Sequence, residues 1–195
     1  MRYEIVLQAL WLILPAYVAN ASAVLVGGGT PVDFGKNWRD GRRILGDGKT
    51  WRGLFSGAFM GMVVGFGLSV AAKSIAPTEY NVINFENLDF MGFPLMIPIV
   101  FSLCFGALLG DVVESFFKRR IGKTRGEDWY GFDQLDFIVG ALFLSFVASL
   151  ILQLSGVTSG NWFIESFSLW HILVLLVITP FFHFFANFVH KKAKS

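Results

Sequence analysis

The sequence predicts an all-α integral membrane protein of about five transmembrane helices. Its N-terminus is expected outside, its C-terminus in the cytoplasm, with two polar cytoplasmic loops between. Three observations carry this reading. Hydrophobic residues make up 54% of the 195 positions and charged residues only 15%, with a mean hydropathy of +0.60. A typical soluble chain carries roughly 25% charged residues. Second, five apolar runs recur, each near the roughly 20 residues that span a bilayer. Third, fourteen of the sixteen Lys and Arg lie in alternate connecting segments and the tail, which the positive-inside rule assigns to the cytoplasm.

The runs lie at about 5–26, 54–75, 91–117, 135–154 and 167–188. They mix Val, Ile, Leu and Phe with Gly and Ala and show no period-2 alternation, so helices are favoured over a barrel. The first run lacks a basic lead-in and is too long for the apolar part of a signal peptide. Asn20 within it is a mild site candidate, because a buried amide there needs a partner. Its sequon, Asn20-Ala21-Ser22, lies inside the span, where glycosylation is implausible. Pro94 and Pro98 are expected to mark or kink the first turns of the third run. The 22 Phe and 6 Trp suit lipid-facing and headgroup-level surfaces. With Cys104 as the single cysteine, an intrachain disulfide and a multi-Cys zinc site are both excluded. The chain reads as one transmembrane domain, 1–195.

Only the two cytoplasmic segments hold enough polar groups for chemistry. The first, GGGTPVDFGKNWRDGRRILGDGKTWRG, is rich in Gly, which exposes backbone N–H groups to an anion. Its Gly48-Lys49-Thr50 resembles the tail of a P-loop. That motif, however, needs Gly where Arg43 stands, and it follows a strand. A basic loop that cradles phosphate in another way competes evenly with a plain topology signal.

The second segment, 110–136, holds six of the fourteen carboxylates. At helical spacing Asp111, Glu114, Ser115 and Lys118 share a face. Asp133 and Asp136 are three apart at the start of the next run, where acids also serve simply to satisfy a helix N-terminus. Asp111 and Glu114 lie toward the end of a span, where an acid is costly unless paired or wet. Pairing with Lys118 or Arg119 would satisfy them; a hard metal ion would too. Three or four converging acids favour the metal. His171, His183 and His190 lie at or after the last run and read as packing residues.

Gly110-Asp111-x-x-Glu114-Ser115-x-x-Lys118-Arg119, then Lys123, then Asp133-x-x-Asp136 resemble the signature of the CTP-dependent phosphatidate cytidylyltransferases. The loop GGGTPVDFG with DGRRILGDGKTWRG narrows the resemblance to the archaeal branch, the CDP-archaeol synthases. Thr124 stands where the broader signature has Asp, and Gln134 where it has Arg. The resemblance implies cytidylyl transfer from CTP to an unsaturated archaeal ether-lipid phosphate, 2,3-bis-O-geranylgeranylglycerol 1-phosphate. It implies Mg²⁺ held by Asp111, Asp133 and Asp136 with Glu114 nearby, and Asp111, Lys118 and Asp133 as catalytic residues. Lys49, Thr50, Arg52, Ser115, Arg119, Lys123 and Arg125 would face the nucleotide, and spans one to three would admit the lipid chains.

The implied partners are CTP, the lipid phosphate and membrane lipids, with no nucleic acid; a homodimer is left open. The spacing of Asp133 and Asp136 excludes the D-x-x-x-D of the CDP-alcohol phosphatidyltransferases. A small transporter or channel using the intramembrane acids as an ion path is the alternative.

Overall fold

Among the described residues, four helices long and apolar enough to span a membrane form the body of the protein, because backbones surrounded by lipid have no other way to pair every N–H and C=O. The computed structural model describes residues 2–75, 88–124, 127, 129 and 131–193, with side chains described between 3 and 182. The elements are α1 (Arg2–Val26), α2 (Trp51–Ile75), α3 (Met96–Arg120), α4 (Phe132–Leu154), the five-residue α5 (Trp162–Ser166) and α6 (Leu169–Ala193). Helices α1 to α4 are each long and apolar enough to cross a membrane; 25 residues rise about 37 Å against roughly 30 Å of hydrocarbon. In α6 the described apolar stretch is Leu169–Phe182. Among the described residues there is no strand, only two isolated bridges, Pro31 with Thr50 and Asn37 with Arg43.

The helix ends differ from the expected ones for local reasons. Helix α2 starts three residues early because the Thr50 hydroxyl accepts the Gly53 N–H at 3.1 Å, capping the first turn. Helix α3 starts five residues late. Its approach runs through Phe90, Met91 and Gly92, all at positive φ, conformations that no helix accommodates. It then continues three residues past the expected end, through Lys118, Arg119 and Arg120, cations that suit a helix C-terminus. Helix α5 was not expected. The Asn161 side chain starts it by accepting the Ile164 N–H at 3.2 Å.

Small residues set the spacing of the bundle. On α2, Gly53, Gly57, Gly61 and Gly65 repeat every four residues and are all buried. A Cβ at Gly57 would stand 2.5 Å from the Ala19 carbonyl oxygen of α1, and one at Gly61 2.6 Å from both Pro15 O and Cys104 Sγ. Lipid supplies no hydrophobic drive between helices, so such close backbone contact is what holds them together. Helices α3 and α4 meet in the same way. A Cβ at Gly106 would be 2.5 Å from Gly140 O, and one at Gly140 2.8 Å from the Gly110 Cα.

Gly140→Ala is therefore expected to lower the thermal unfolding temperature, at a cost of about 1–3 kcal/mol from overpacking against rigid backbone. Gly67→Ala, where a Cβ meets nothing within 4 Å, is the control and should hold or slightly raise it. Equal behaviour of the two variants in detergent melts would refute the close-contact account.

Candidate functional site

The glycine contact between α3 and α4 decides which acids meet. With no side chain at Gly110, the Asp136 backbone lies directly against it, one residue from Asp111 and one turn from Glu114. Carboxylate oxygens of Asp111, Glu114 and Asp136 consequently lie within 4.8 Å of one another. Glu114 Oε1 is buried and accepts no hydrogen bond; the Lys118 ammonium stands 3.7 Å away. Like charges at this range repel unless a cation shares them. The oxygens are hard donors, of the kind that Mg²⁺ or Ca²⁺ takes, and an orphaned buried oxygen beside two other carboxylates fits such an ion.

Asp133, expected among the metal ligands, lines the same cavity and is held there by Lys118. Both of its oxygens accept from the Lys118 ammonium, at 2.8 and 2.9 Å. Its Oδ2 also accepts the Trp129 N–H at 2.9 Å, which fixes the chain entering α4. Glu114, expected near the ion, is the third member of the converging group beside Asp111 and Asp136.

The 27–50 segment closes the site from the side of α1 and α2, and a buried aspartate organises it. The Asp33 side chain is fully buried. It accepts N–H groups from Gly35, Leu45 and Gly46 at 3.0, 3.0 and 3.1 Å. The Arg43 guanidinium adds bonds of 3.3 and 2.9 Å. Burial works against ionisation, but the Arg43 guanidinium and the three amides hold the carboxyl well below the usual carboxylate range.

Two arginines then bind this folded loop to the end of α3. Arg42 Nη1 donates to the Arg120 and Arg119 carbonyls at 2.6 and 3.3 Å, satisfying C-terminal acceptors that the helix leaves open. In return Arg120 donates to the Arg43 carbonyl and pairs with Asp40 at 3.4 Å. Trp38 meets Phe116 edge-on at 5.3 Å.

Docked this way, the loop delivers Lys49 to Asp111 as a salt bridge. Between them lies a polar cavity of about 490 Å³. Its walls include Gly46 to Lys49 from the loop and Asp111, Glu114, Ser115, Lys118, Arg119, Asp133 and Asp136 from the α3–α4 end. Of the residues expected at the nucleotide, Lys49, Ser115 and Arg119 thus line the cavity. Thr50 is buried and serves as the α2 cap, also accepting the Gly28 N–H at 3.2 Å. Arg52 is exposed in the first turn of α2 and does not line the cavity. Lys123 is half-buried after α3, its N–H donating to the Lys118 carbonyl at 3.1 Å, and it is not part of that wall either. Arg125 falls outside the described residues.

A second, apolar groove of about 950 Å³ runs down the outside of α3 and α4, past Leu109, Val113, Phe117, Phe132, Val139 and Phe143. Among the residues that line both hollows are Glu114 and Asp136. The lipid groove was expected among spans one to three. The apolar groove that reaches the acids lies between α3 and α4 because the Gly106, Gly110 and Gly140 contact leaves a furrow beside it.

Loss of the Asp33 carboxylate should undo the loop. Asp33→Ala leaves three amides without their acceptor and the half-exposed Arg43 guanidinium with Asp47 alone, at 2.6 Å; each buried donor left unpaired typically costs about 1–3 kcal/mol. Cleavage within 27–50 by added protease is expected to become fast at neutral pH. In the unaltered protein the depressed carboxyl contributes stability above the ordinary aspartate value of about 3.9, and this is lost as pH falls through the folded value. Proteolysis that is equally slow in Asp33→Ala would show that the loop does not depend on this carboxylate.

The comparisons with known proteins agree along nearly the whole chain. The family model described as CarS-like, CDP-archaeol synthase, matches residues 2–194. A CDP-archaeol synthase of Pyrococcus horikoshii is 41% identical over 187 residues, covering 96% of this chain and 92% of its own. One from Thermococcus onnurineus is 43% identical over 188 residues, covering 96% and 93%. A solved structure described as an intramembrane enzyme for archaeal membrane lipids biosynthesis is 35% identical, with a TM-score of 0.63 over 94% of each chain. With a family model and relatives above 40% identity running nearly end to end, this membrane-spanning chain belongs to the CDP-archaeol synthase family.

Proposed function

We propose that the chain, as one transmembrane domain, transfers a cytidylyl group from CTP to an unsaturated archaeal ether-lipid phosphate. The reading taken is 2,3-bis-O-geranylgeranylglycerol 1-phosphate as acceptor, giving CDP-archaeol and pyrophosphate. The observation that carries this is the meeting of two unlike hollows at Glu114 and Asp136. A nucleotide triphosphate suits the cation-lined polar side, and isoprenoid chains suit the apolar furrow. Among the described residues, the two hollows meet at these acids.

Asp111, Glu114 and Asp136 would hold Mg²⁺. When bound, the ion offsets charge on the triphosphate and polarises the phosphorus under attack. The lipid phosphate is already an anion near neutral pH, its second pKa being about 6, so no side chain need remove a proton. Its oxygen forms a bond to the α-phosphorus of CTP as the bond to the β-phosphate oxygen breaks, and pyrophosphate leaves. Lys118, oriented by Asp133, and Arg119 face the charge that grows on that leaving group. Lys49 brings the loop cation to the same place. Ser115 lines the wall beside them.

The cations of the 27–50 segment and Lys118, Arg119, Arg120 and Lys123 lie with the cavity at one end of the bundle, which supports a cytoplasmic site by the positive-inside rule. Transport along the intramembrane acids has no support among the relatives. The test is purified protein in liposomes with CTP, Mg²⁺ and a panel of lipid phosphates. Pyrophosphate release and a nucleotide-lipid product are expected only when all three are present. Release independent of the lipid phosphate, or solute flux without nucleotide, would overturn the proposal.

A further inference from the structure

Phe34 is held in an unusual way. Its φ is 51°, a left-handed conformation that bulky side chains rarely adopt. The turn imposing it is tightly bonded. The Phe34 N–H donates to the Pro31 carbonyl at 3.0 Å, the Lys36 N–H to the Asp33 carbonyl at 2.9 Å, and the Gly35 N–H to the Asp33 side chain at 3.0 Å. The strain gains no burial, since Phe34 is 63% exposed.

The direction in which the ring extends explains it. Its centroid lies 6.3 Å from that of Trp51, and Trp51 stacks on Phe55 at 6.0 Å. Trp51, Phe55 and Phe59 recur every four residues on α2 and are exposed, as are Val63, Phe66 and Val70 further along. That is the stripe a spanning helix turns to lipid. Phe34 continues it past the end of the helix and onto the loop. Lys36, two residues on, and Arg52, next to Trp51, are also exposed.

We propose that the 31–36 turn docks on the bilayer in which the protein sits. Phe34 enters the boundary between headgroups and chains, and Lys36 and Arg52 contact lipid phosphates. Continuity with the lipid-facing stripe identifies the occupant, and the flanking cations match an anionic headgroup layer. The loop is then tied at two points, to the membrane by Phe34 and to Asp111 by Lys49. The cavity wall between them is held at headgroup height. This inference rests on the membrane-spanning reading and not on the reaction.

The test reads depth directly. Cys104 is fully buried and is the chain's single cysteine, so a nitroxide can be placed on Lys36→Cys in full-length protein reconstituted into phosphatidylglycerol-containing liposomes. A label on Asp47→Cys, an exposed position on the cavity side, is the aqueous reference. The label at 36 is expected to relax more with oxygen, which partitions into the bilayer, and several-fold less with a water-soluble nickel complex than the label at 47. Adding Phe34→Asn, which tolerates the left-handed backbone but removes the ring, should bring nickel access at 36 up to that at 47. Equal nickel access at 36 and 47 in the protein with Phe34 present would overturn the proposal, whether or not the Asn variant folds. So would an unchanged depth when Phe34 is replaced.

Discussion

Asp136→Asn is expected to reduce CTP-dependent pyrophosphate release on the order of 10³-fold, the scale on which charge-stabilising groups act at a reacting phosphoryl centre. The substitution keeps the shape of the side chain and removes its charge. Asp136 is the single contribution of α4 to the group of three carboxylates, and it stands where the polar cavity and the apolar furrow join. A neutral amide there leaves two carboxylates on α3 to hold a divalent ion. The magnesium concentration needed for half-maximal rate should therefore rise along with the loss of rate.

The same change at Asp111 would be a less clean test, because it also frees Lys49 from its salt bridge. The measurement is initial rate against magnesium at saturating CTP, with a melting curve to show that the bundle is intact. Near-normal rate with a normal magnesium requirement would remove Asp136 from the metal centre, while the glycine contact that packs α3 against α4 would stand.

What could be read from the sequence follows the range of the interactions involved. The spans are legible because a lipid-embedded backbone leaves its mark as continuous apolar runs. Their ends are less so: Thr50 caps α2 by one local bond, and Phe90 to Gly92 delay α3 by positive φ. The face shared by Asp111, Glu114 and Lys118 follows from helical spacing alone. The choice between Asp133 and Asp136 does not. It depends on how α4 is rotated against α3, which the contact at Gly106, Gly110 and Gly140 fixes. The four-residue repeat of Gly53, Gly57, Gly61 and Gly65 was available as a signal of close helix packing, but merged into a general richness in small residues. Asp33 left no such signal. Apart from the nearby Gly35, its partners Arg43, Leu45 and Gly46 lie 10 to 13 residues away, and the folded loop brings their donors to one carboxylate.

Asp133→Asn separates two roles that the sequence could not tell apart. Both Asp133 oxygens are committed to the Lys118 ammonium and one also to the Trp129 amide. The variant should therefore lower kcat/KM for CTP by about 10²-fold, as loss of a group that orients a charged side chain does. Its magnesium requirement should stay close to normal. With its main partner neutralised, Lys118 is drawn toward Glu114, now 3.7 Å away, and turns from the cavity into the acids. Lys118→Met should cost a similar factor. Because Asp133 acts through Lys118, the double variant should lose little more than either single one, a non-additivity that groups acting as a unit produce. Multiplied losses would mean that Asp133 has work of its own. If its loss instead raised the magnesium requirement as Asp136→Asn does, Asp133 would be a ligand after all, reaching the ion by releasing Lys118 to the triphosphate when the nucleotide binds.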